Sequence, residues 1–264
     1  MKISAVILLI LFALSTNALP ANAQTADTQT SASAPYSKIY GYRIINTYPH
    51  DPQASTQGLE FRNGYLYEGT GIEGRSTLRK VELKSGKVIK SLALDPKLFG
   101  EGITIYKDSI IQLTWRAQLG FVYDLETFRQ RKTFRYPTEG WGITTDGKEL
   151  IMSDGTATLY FLDPQTFKQL KKITVSDRGR PVIWLNELEY VNGYIYANVM
   201  SSDKIAIIDP ESGKVNRWVD LAGLACAGEG KSLNGIAYDQ DSGNFFVTGK
   251  LCPVLYQIEL IAKD

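Results

Sequence analysis

Four related words recur along the chain: VELKSGKV at Val81–Val88, YDLETF at Tyr123–Phe128, LDPQTF at Leu162–Phe167 and IDPESGKV at Ile208–Val215. In each, an apolar run ends in an acid, then comes Ser or Thr three positions on, then Gly or Phe. The acids Glu82, Asp124, Asp163 and Asp209 are spaced by 42, 39 and 46 positions. A second word opens with Gly and an apolar residue: GLEF at Gly58, GITIY at Gly102, GITT at Gly142 and GIAY at Gly235. NELEY at Asn186 fills the gap in this series, with Glu187 in the place of Gly, and the starts then differ by 44, 40, 45 and 48. Self-similarity at a nearly fixed period signals one supersecondary unit used again and again.

Between these markers apolar and polar residues alternate over short runs, as in Tyr65-Leu66-Tyr67, Leu150-Ile151-Met152 and Tyr194-Ile195-Tyr196-Ala197. Alternation of this kind reads as half-buried strand, and no stretch sustains a helical period over a dozen residues. Asn63-Gly64, Asp146-Gly147 and Asn192-Gly193 sit where the first hairpin of a unit should turn, because tight hairpin turns need left-handed backbone. Four short strands in about 40 to 45 residues make a propeller blade. The chain holds five such units and a spare strand, YGYRIINTY at Tyr40–Tyr48, able to complete the last blade and close the ring. The expected fold is therefore all-β, a five-bladed β-propeller. A sandwich of similar strand number would give no fixed period.

The first segment is an address. Residues 1–23, MKISAVILLILFALSTNALPANA, combine Lys2, an apolar run from Ile3 to Leu14 and the small-x-small signal Ala21-Asn22-Ala23. The apolar run is shorter than the roughly 20 residues that span a bilayer, so a cleaved signal peptide is expected rather than an anchor. Residues 24–35, QTADTQTSASAP, are polar and small, as a disordered tether is. The rest, 36–264, is the propeller. The mature protein should be secreted or periplasmic, in an oxidising setting. Cys226 and Cys252 flank the final repeat there, either as a disulfide worth about 3 kcal/mol or as two buried thiols.

Composition removes other chemistries. A single His, His50, excludes a zinc site built on two or three imidazoles, and 2 Cys exclude a four-thiolate site. The 29 Lys and Arg balance 28 Asp and Glu, so no strong field draws the chain to nucleic acid or to an anionic membrane. No phosphate-binding glycine fingerprint follows a strand and opens a helix, and GTGIEG at Gly69–Gly74 reads as a blade loop. His50, between prolines in YPHDP, reads as structural, because no G-x-S-x-G elbow exists to go with it.

In a propeller, residues at equivalent starts of the inner strands converge on the axis. Here they are Gln57, Glu101, Trp141, Asn186 and Asn234, each directly before the repeated Gly or its equivalent. For the amides, especially Asn234 and Gln57, a structural role between blades competes with a functional one. Glu101, between Gly100 and Gly102 with no basic neighbour in sequence, stands out: a partly buried carboxyl there has a raised pKa suited to proton transfer. Trp115 follows the second strand of its blade, and Met200 and Lys250 occupy the matching places in the last two blades. Glu187 and Glu189 are too crowded for both to be buried and ionised, so a structural contact is expected of at least one.

These residues lie in words that resemble the glutaminyl-peptide cyclotransferase family of the plant and bacterial type. The words are TQGL (56–59), YEGTG with GRSTLRKV (67–81), FGEGIT (99–104), LTW (113–115), EGWG (139–142), LNELEY (185–190), LNGIAYD (233–239) and VTGK (247–250). They run in order over nearly the whole domain, from Tyr40 to Leu260. The resemblance implies a five-bladed propeller, unrelated to the zinc-dependent animal enzymes. It implies closure of an N-terminal glutamine to pyroglutamate with loss of ammonia, on peptide or protein substrates, by a monomer without metal or cofactor. It implies Glu101 as general acid and base, Asn186 and Lys250 beside it in catalysis, and Gln57, Phe99, Trp115 and Trp141 as substrate contacts. The sequence departs from the family at Ser55, Met200 and Cys252, each where an aromatic residue is common. The competing class is a secreted propeller that only binds a peptide or glycan in its funnel, since fold alone does not give function. A metal- or quinone-dependent propeller enzyme is the weakest alternative, with one strong carboxylate and no usable His in the ring.

Overall fold

The computed structural model describes residues 38–226 and 232–263; the expected export signal at 1–23 and the expected tether at 24–35 lie outside the described residues. The described residues form strands joined by turns and loops, with no helix among them. They begin with β1 (Lys38–Pro49), and the first four-stranded sheet follows as β2 (Thr56–Arg62), β3 (Tyr65–Thr70), β4 (Thr77–Glu82) and β5 (Val88–Ala93). The second is β6 (Gly100–Tyr106), β7 (Ser109–Thr114), β8 (Leu119–Asp124) and β9 (Gln130–Arg135). The third is β10 (Ile143–Thr145), β11 (Leu150–Ser153), β12 (Thr158–Leu162) and β13 (Gln169–Thr174). A small hairpin, β14 (Ser176–Asp177) and β15 (Arg180–Pro181), leads to β16 (Leu185–Val191), β17 (Tyr194–Val199), β18 (Lys204–Ile208) and β19 (Val215–Asp220). The last unit is β20 (Ser232–Asp239), β21 (Asn244–Lys250) and β22 (Val254–Ala262).

The spare strand closes the structure. β1 pairs antiparallel with β22 as the fourth strand of the last unit, from Tyr40 opposite Ala262 to Pro49 opposite Val254. Its other edge pairs parallel with β19, Lys38 opposite Arg217, which fuses the last two units into one eight-stranded sheet. The innermost strands touch in cyclic order: β2, β6, β10, β16, β20 and back to β2. This is a propeller of five four-stranded units, and each unit-to-unit interface holds its own apolar cluster. Leu59, Val81, Phe246 and Leu255 join the first and last units, and Ile151, Phe161, Leu188 and Ile195 join the third and fourth. Burying one such side chain is worth about 1.5–3 kcal/mol.

Each recurring word now has a physical cause. The acid-x-x-Ser/Thr word is the turn between third and fourth strands. Asp163 Oδ1 accepts from the Gln165 and Thr166 N–H groups and the Thr166 hydroxyl, and Asp209 does the same with Glu211 and Ser212. The next residue donates its N–H back to the carbonyl of the acid, 2.8–2.9 Å away, at Gly86, Phe128, Phe167 and Gly213. That closure needs left-handed backbone, with φ of 66°, 59°, 58° and 69° in that order. Glycine adopts it freely. The two phenylalanines offset its cost by burial, and Phe167 stacks on Phe134 with ring centroids 3.9 Å apart.

The Gly word is a close approach between inner strands. A Cβ on Gly142 would lie 2.0 Å from the carbonyl oxygen of Asn186, and one on Gly102 would lie 2.6 Å from that of Trp141. The Gly102 N–H donates to that same Trp141 oxygen at 2.7 Å. The exception, Glu187, sends its carboxylate across the axis to accept from Leu59 N–H at 3.2 Å and Ile236 N–H at 2.8 Å. Glu189 accepts from Tyr238 N–H at 3.0 Å, and Glu60 from the Thr104 hydroxyl and Ile105 N–H. Both NELEY acids therefore make structural contacts. Cys226 and Cys252 are joined as a disulfide, their Cα atoms 5.6 Å apart.

Two outcomes are expected. Gly142→Ala drives a methyl group into backbone that cannot move away alone, and should lower stability by about 1–3 kcal/mol in urea unfolding. An unchanged midpoint would contradict the close approach. The second concerns Glu60, Glu187 and Glu189, whose pKa values burial raises, that of Glu60 to about 7. A carboxyl with a raised folded pKa stabilises fully below its unfolded value and loses that contribution as pH rises through the folded one. The unfolding midpoint should therefore fall between about pH 5 and pH 8, and Glu60→Gln should flatten the fall.

Candidate active site

The inner strands begin on the axis, and their first residues meet at one end of it. A cavity of about 380 Å³ opens there, lined by Gln57, Phe99, Glu101, Trp115, Arg116, Glu139, Trp141, Trp184, Asn186, Met200 and Lys250. All seven catalytic and substrate-binding candidates from the sequence line it, with Met200. A larger hollow, about 600 Å³, lies where the inner strands end, among Glu60, Thr144, Glu189 and Asp239. It is more polar and contains none of the sequence candidates. The chemistry-bearing groups are at the first end.

Glu101 is 6% exposed and lies on β6, where both neighbours are glycine. Burial pushes its carboxyl well above the usual range, the Lys250 ammonium pulls it back, and Glu139 pushes it up again. Lys250, the last residue of β21, has its own pKa lowered by burial and held up by Glu101. The basic neighbour that Glu101 lacks in sequence is supplied across the ring, from the last unit.

The amides divide. Asn186 is 2% exposed, and its side-chain oxygen has no partner among the described residues. An orphaned buried oxygen costs about 1–3 kcal/mol until a ligand satisfies it. Gln57 is tied lightly, its Nε2 donating to Ser55 Oγ at 3.3 Å. Asn234 does not line the cavity: its Nδ2 donates to the Thr56 carbonyl at 3.0 Å and to Gln57 Oε1 at 3.4 Å. Of the five ring positions, it is the one that serves as a brace between units.

The walls are aromatic. Trp115 meets Phe99 edge-on at 5.6 Å, and Trp141 lies 6.1 Å from Trp184. Trp141 stands over Gly155, where a Cβ would fall 2.6–2.9 Å from its ring. Strand register bears out the alignment of Lys250 with Trp115. Gly249 pairs with Leu233, two before Gly235, as Thr114 pairs with Gly100, two before Gly102, so Lys250 matches Trp115. Lys250, at the end of β21, thus reaches the cavity from the place that Trp115 and Met200 hold in their units.

His50 lies outside the cavity. Its Nε2 is 3.0 Å from Glu68 Oε1 and its Nδ1 is 2.6 Å from the Cys252 carbonyl oxygen. Burial lowers its pKa, but the Glu68 carboxylate outweighs this and leaves it raised. It holds the chain start against the disulfide turn.

Three lining residues escape the sequence reading: Arg116, Glu139 and Trp184. A signal for two of them existed. Phe99 lies two positions before Glu101; the same offset gives Glu139 before Trp141 and Trp184 before Asn186. In the first unit that offset gives Ser55, too short to fill the wall.

Comparison with known proteins agrees with this geometry. A family described as glutamine cyclotransferase matches residues 13–260. A protein of Arabidopsis thaliana named glutaminyl-peptide cyclotransferase is 46% identical over 232 residues, spanning 84% of this chain and 72% of that one. The crystal structure of Myxococcus xanthus glutaminyl cyclase superposes with a TM-score of 0.80 at 37% identity, covering 86% of this chain and 99% of the other. With its inner-strand ring and its cavity of Glu101, Lys250, amides and indoles, the chain belongs to the glutamine cyclotransferase family.

Proposed function

We propose that the chain cyclises the N-terminal glutamine of peptides and proteins to pyroglutamate and releases ammonia. The observation that carries this reading is a buried carboxyl and a half-buried lysine sharing one aromatic-walled cavity with an amide whose oxygen has no partner among the described residues. Family membership favours an enzyme over a funnel that only binds.

The reaction forms a bond between the α-nitrogen and the side-chain carbonyl carbon, and breaks the bond from that carbon to the amide nitrogen. The α-ammonium gives up two protons, and the leaving nitrogen gains two and departs as ammonium. Glu101 takes protons from the first nitrogen and delivers them to the second, work that suits a carboxyl whose pKa lies nearer neutrality. The Asn186 amide is complementary to the substrate carboxamide: its oxygen accepts from the NH₂ group while its nitrogen donates to the carbonyl. As that carbonyl oxygen becomes negative, the Lys250 ammonium, Asn186 and Gln57 stabilise it in a site of low polarity. Trp115, Trp141 and Phe99 hold the bent side chain and exclude water, so the intramolecular attack outruns hydrolysis. No step calls on a metal. The signal-like N-terminus supports export, which N-terminal sequencing of the periplasmic or secreted protein would check.

Glu101→Gln should lower ammonia release from a Gln-initiated peptide by about 10²–10⁴-fold with the fold intact. EDTA should leave the wild-type rate unchanged. Wild-type turnover in the variant, or loss of activity with EDTA, would refute the respective point. Because Glu101 must be ionised to act as a base, kcat/KM should fall as pH drops through its raised pKa. The acid limb should therefore lie above the usual carboxylate range. A limb near an ordinary glutamate value, about 4.3, would place the proton transfer elsewhere.

A further inference from the structure

The two indoles that wall the cavity come from different units. Trp115 follows β7 of the second, whereas Trp141 precedes β10 of the third. Both point their N–H groups at one acceptor. Glu139 Oε2 accepts from Trp115 Nε1 at 2.7 Å and from Trp141 Nε1 at 3.0 Å. No other acceptor among the described residues receives either N–H. The second carboxylate oxygen, Oε1, accepts from Arg116 Nε at 3.2 Å. The Arg116 guanidinium in turn lies over the Trp115 ring, 3.7 Å from its centre. Phe99 and Arg116 lie against Trp115 and Gly155 lies against Trp141; Glu139 is the hydrogen-bond acceptor that joins the two indoles.

We propose that Glu139 is the positioning residue of the site, a single carboxylate that clamps Trp115 and Trp141 across two units and so sets the width of the slot that receives the glutamine side chain. The inference rests on the cyclase reading and goes beyond it, because Glu139 acts through the indoles and touches no reacting atom. Ionised carboxylates make the stronger hydrogen bonds, and one oxygen serving two donors couples the two rings. A change at Glu139 therefore moves both walls at once. Burial opposes its ionisation, yet the bonds from Trp141, Trp115 and Arg116 outweigh burial and hold its pKa below the usual range. It stays charged while Glu101, in the lining of the same cavity, is pushed up by that same charge. The clamp thereby has a second consequence, on the proton-transfer group itself.

Two variants separate these effects. Glu139→Ala removes the acceptor and the charge; Glu139→Gln keeps an oxygen for the two indoles and removes only the charge. The near-UV circular dichroism of the indoles is recorded without substrate, and KM, kcat and the pH profile are measured with a Gln-initiated peptide. Glu139→Ala should lose indole ellipticity and raise KM about tenfold or more, the equivalent of about 1.4 kcal/mol of binding. Glu139→Gln should keep both near wild type. In both variants the acid limb of kcat/KM should move to lower pH, because a like charge beside Glu101 is gone. A wild-type spectrum and KM in Glu139→Ala would overturn the proposal, as would an equal KM rise in both variants. Should Glu139→Ala fail to fold, an unmoved acid limb in Glu139→Gln would overturn it instead. Should the wild type release no ammonia, the cyclase reading falls, while the indole spectra still decide whether the clamp exists.

Discussion

Backbone packed against backbone around the axis is the constraint on which everything else here depends. Five inner strands must approach closely enough that a Cβ at Gly142 or Gly102 would overlap the next strand. Tight approach fixes the position of the residue just before each glycine, because its backbone is already in contact with a neighbour. Those residues are Gln57, Glu101, Trp141, Asn234 and, ahead of the one non-glycine, Asn186. The site is precise for the same reason that the ring is stable.

Glu187 shows what the constraint allows as an exception. In place of a glycine contact, its carboxylate spans the axis to two backbone N–H groups of other units. A buried carboxyl that accepts two such bonds replaces strand-to-strand contact with side-chain bridging, and Glu60 and Glu189 continue the pattern toward the far end. The axis thus carries two kinds of carboxyl. Those farther along it are satisfied by backbone donors and serve structure. Glu101 receives no hydrogen bond on its carboxyl among the described residues, shares an open cavity with Lys250, and is left for chemistry. Environment, rather than residue type, separates them.

The repeats are legible in the sequence, whereas Glu139 and Trp184 become legible only when offsets are matched from unit to unit. The turn word was recognised as a marker, but its Gly-or-Phe position became intelligible only with its positive φ, which glycine takes for nothing and phenylalanine takes in exchange for a buried ring. Glu139 and Trp184 sat at the offset already known from Phe99, yet a carboxylate at that offset gives no sequence hint that it will receive two indole N–H groups. Asn234 shared its position with catalytic candidates and turned out to be a brace. Its amide nitrogen bonds the Thr56 carbonyl and the Gln57 side chain away from the cavity, whereas Asn186 lines the cavity.

What the amino-acid order determined was the period, the strand content, the ring and the convergence of Gln57, Glu101, Trp141 and Asn186, because repeated local patterns place equivalent residues on equivalent strands. The resemblance drawn from the same words added Phe99, Trp115 and Lys250, and with them a reaction. Only the tertiary structure decided the electrostatics. Lys250 is 149 positions from Glu101 in sequence and its charge partner in space. Charge coupling depends on distance and burial, and neither is written in any local pattern. The same holds for the carboxylate between the indoles: hydrogen bonds made across units exist only once the ring has closed.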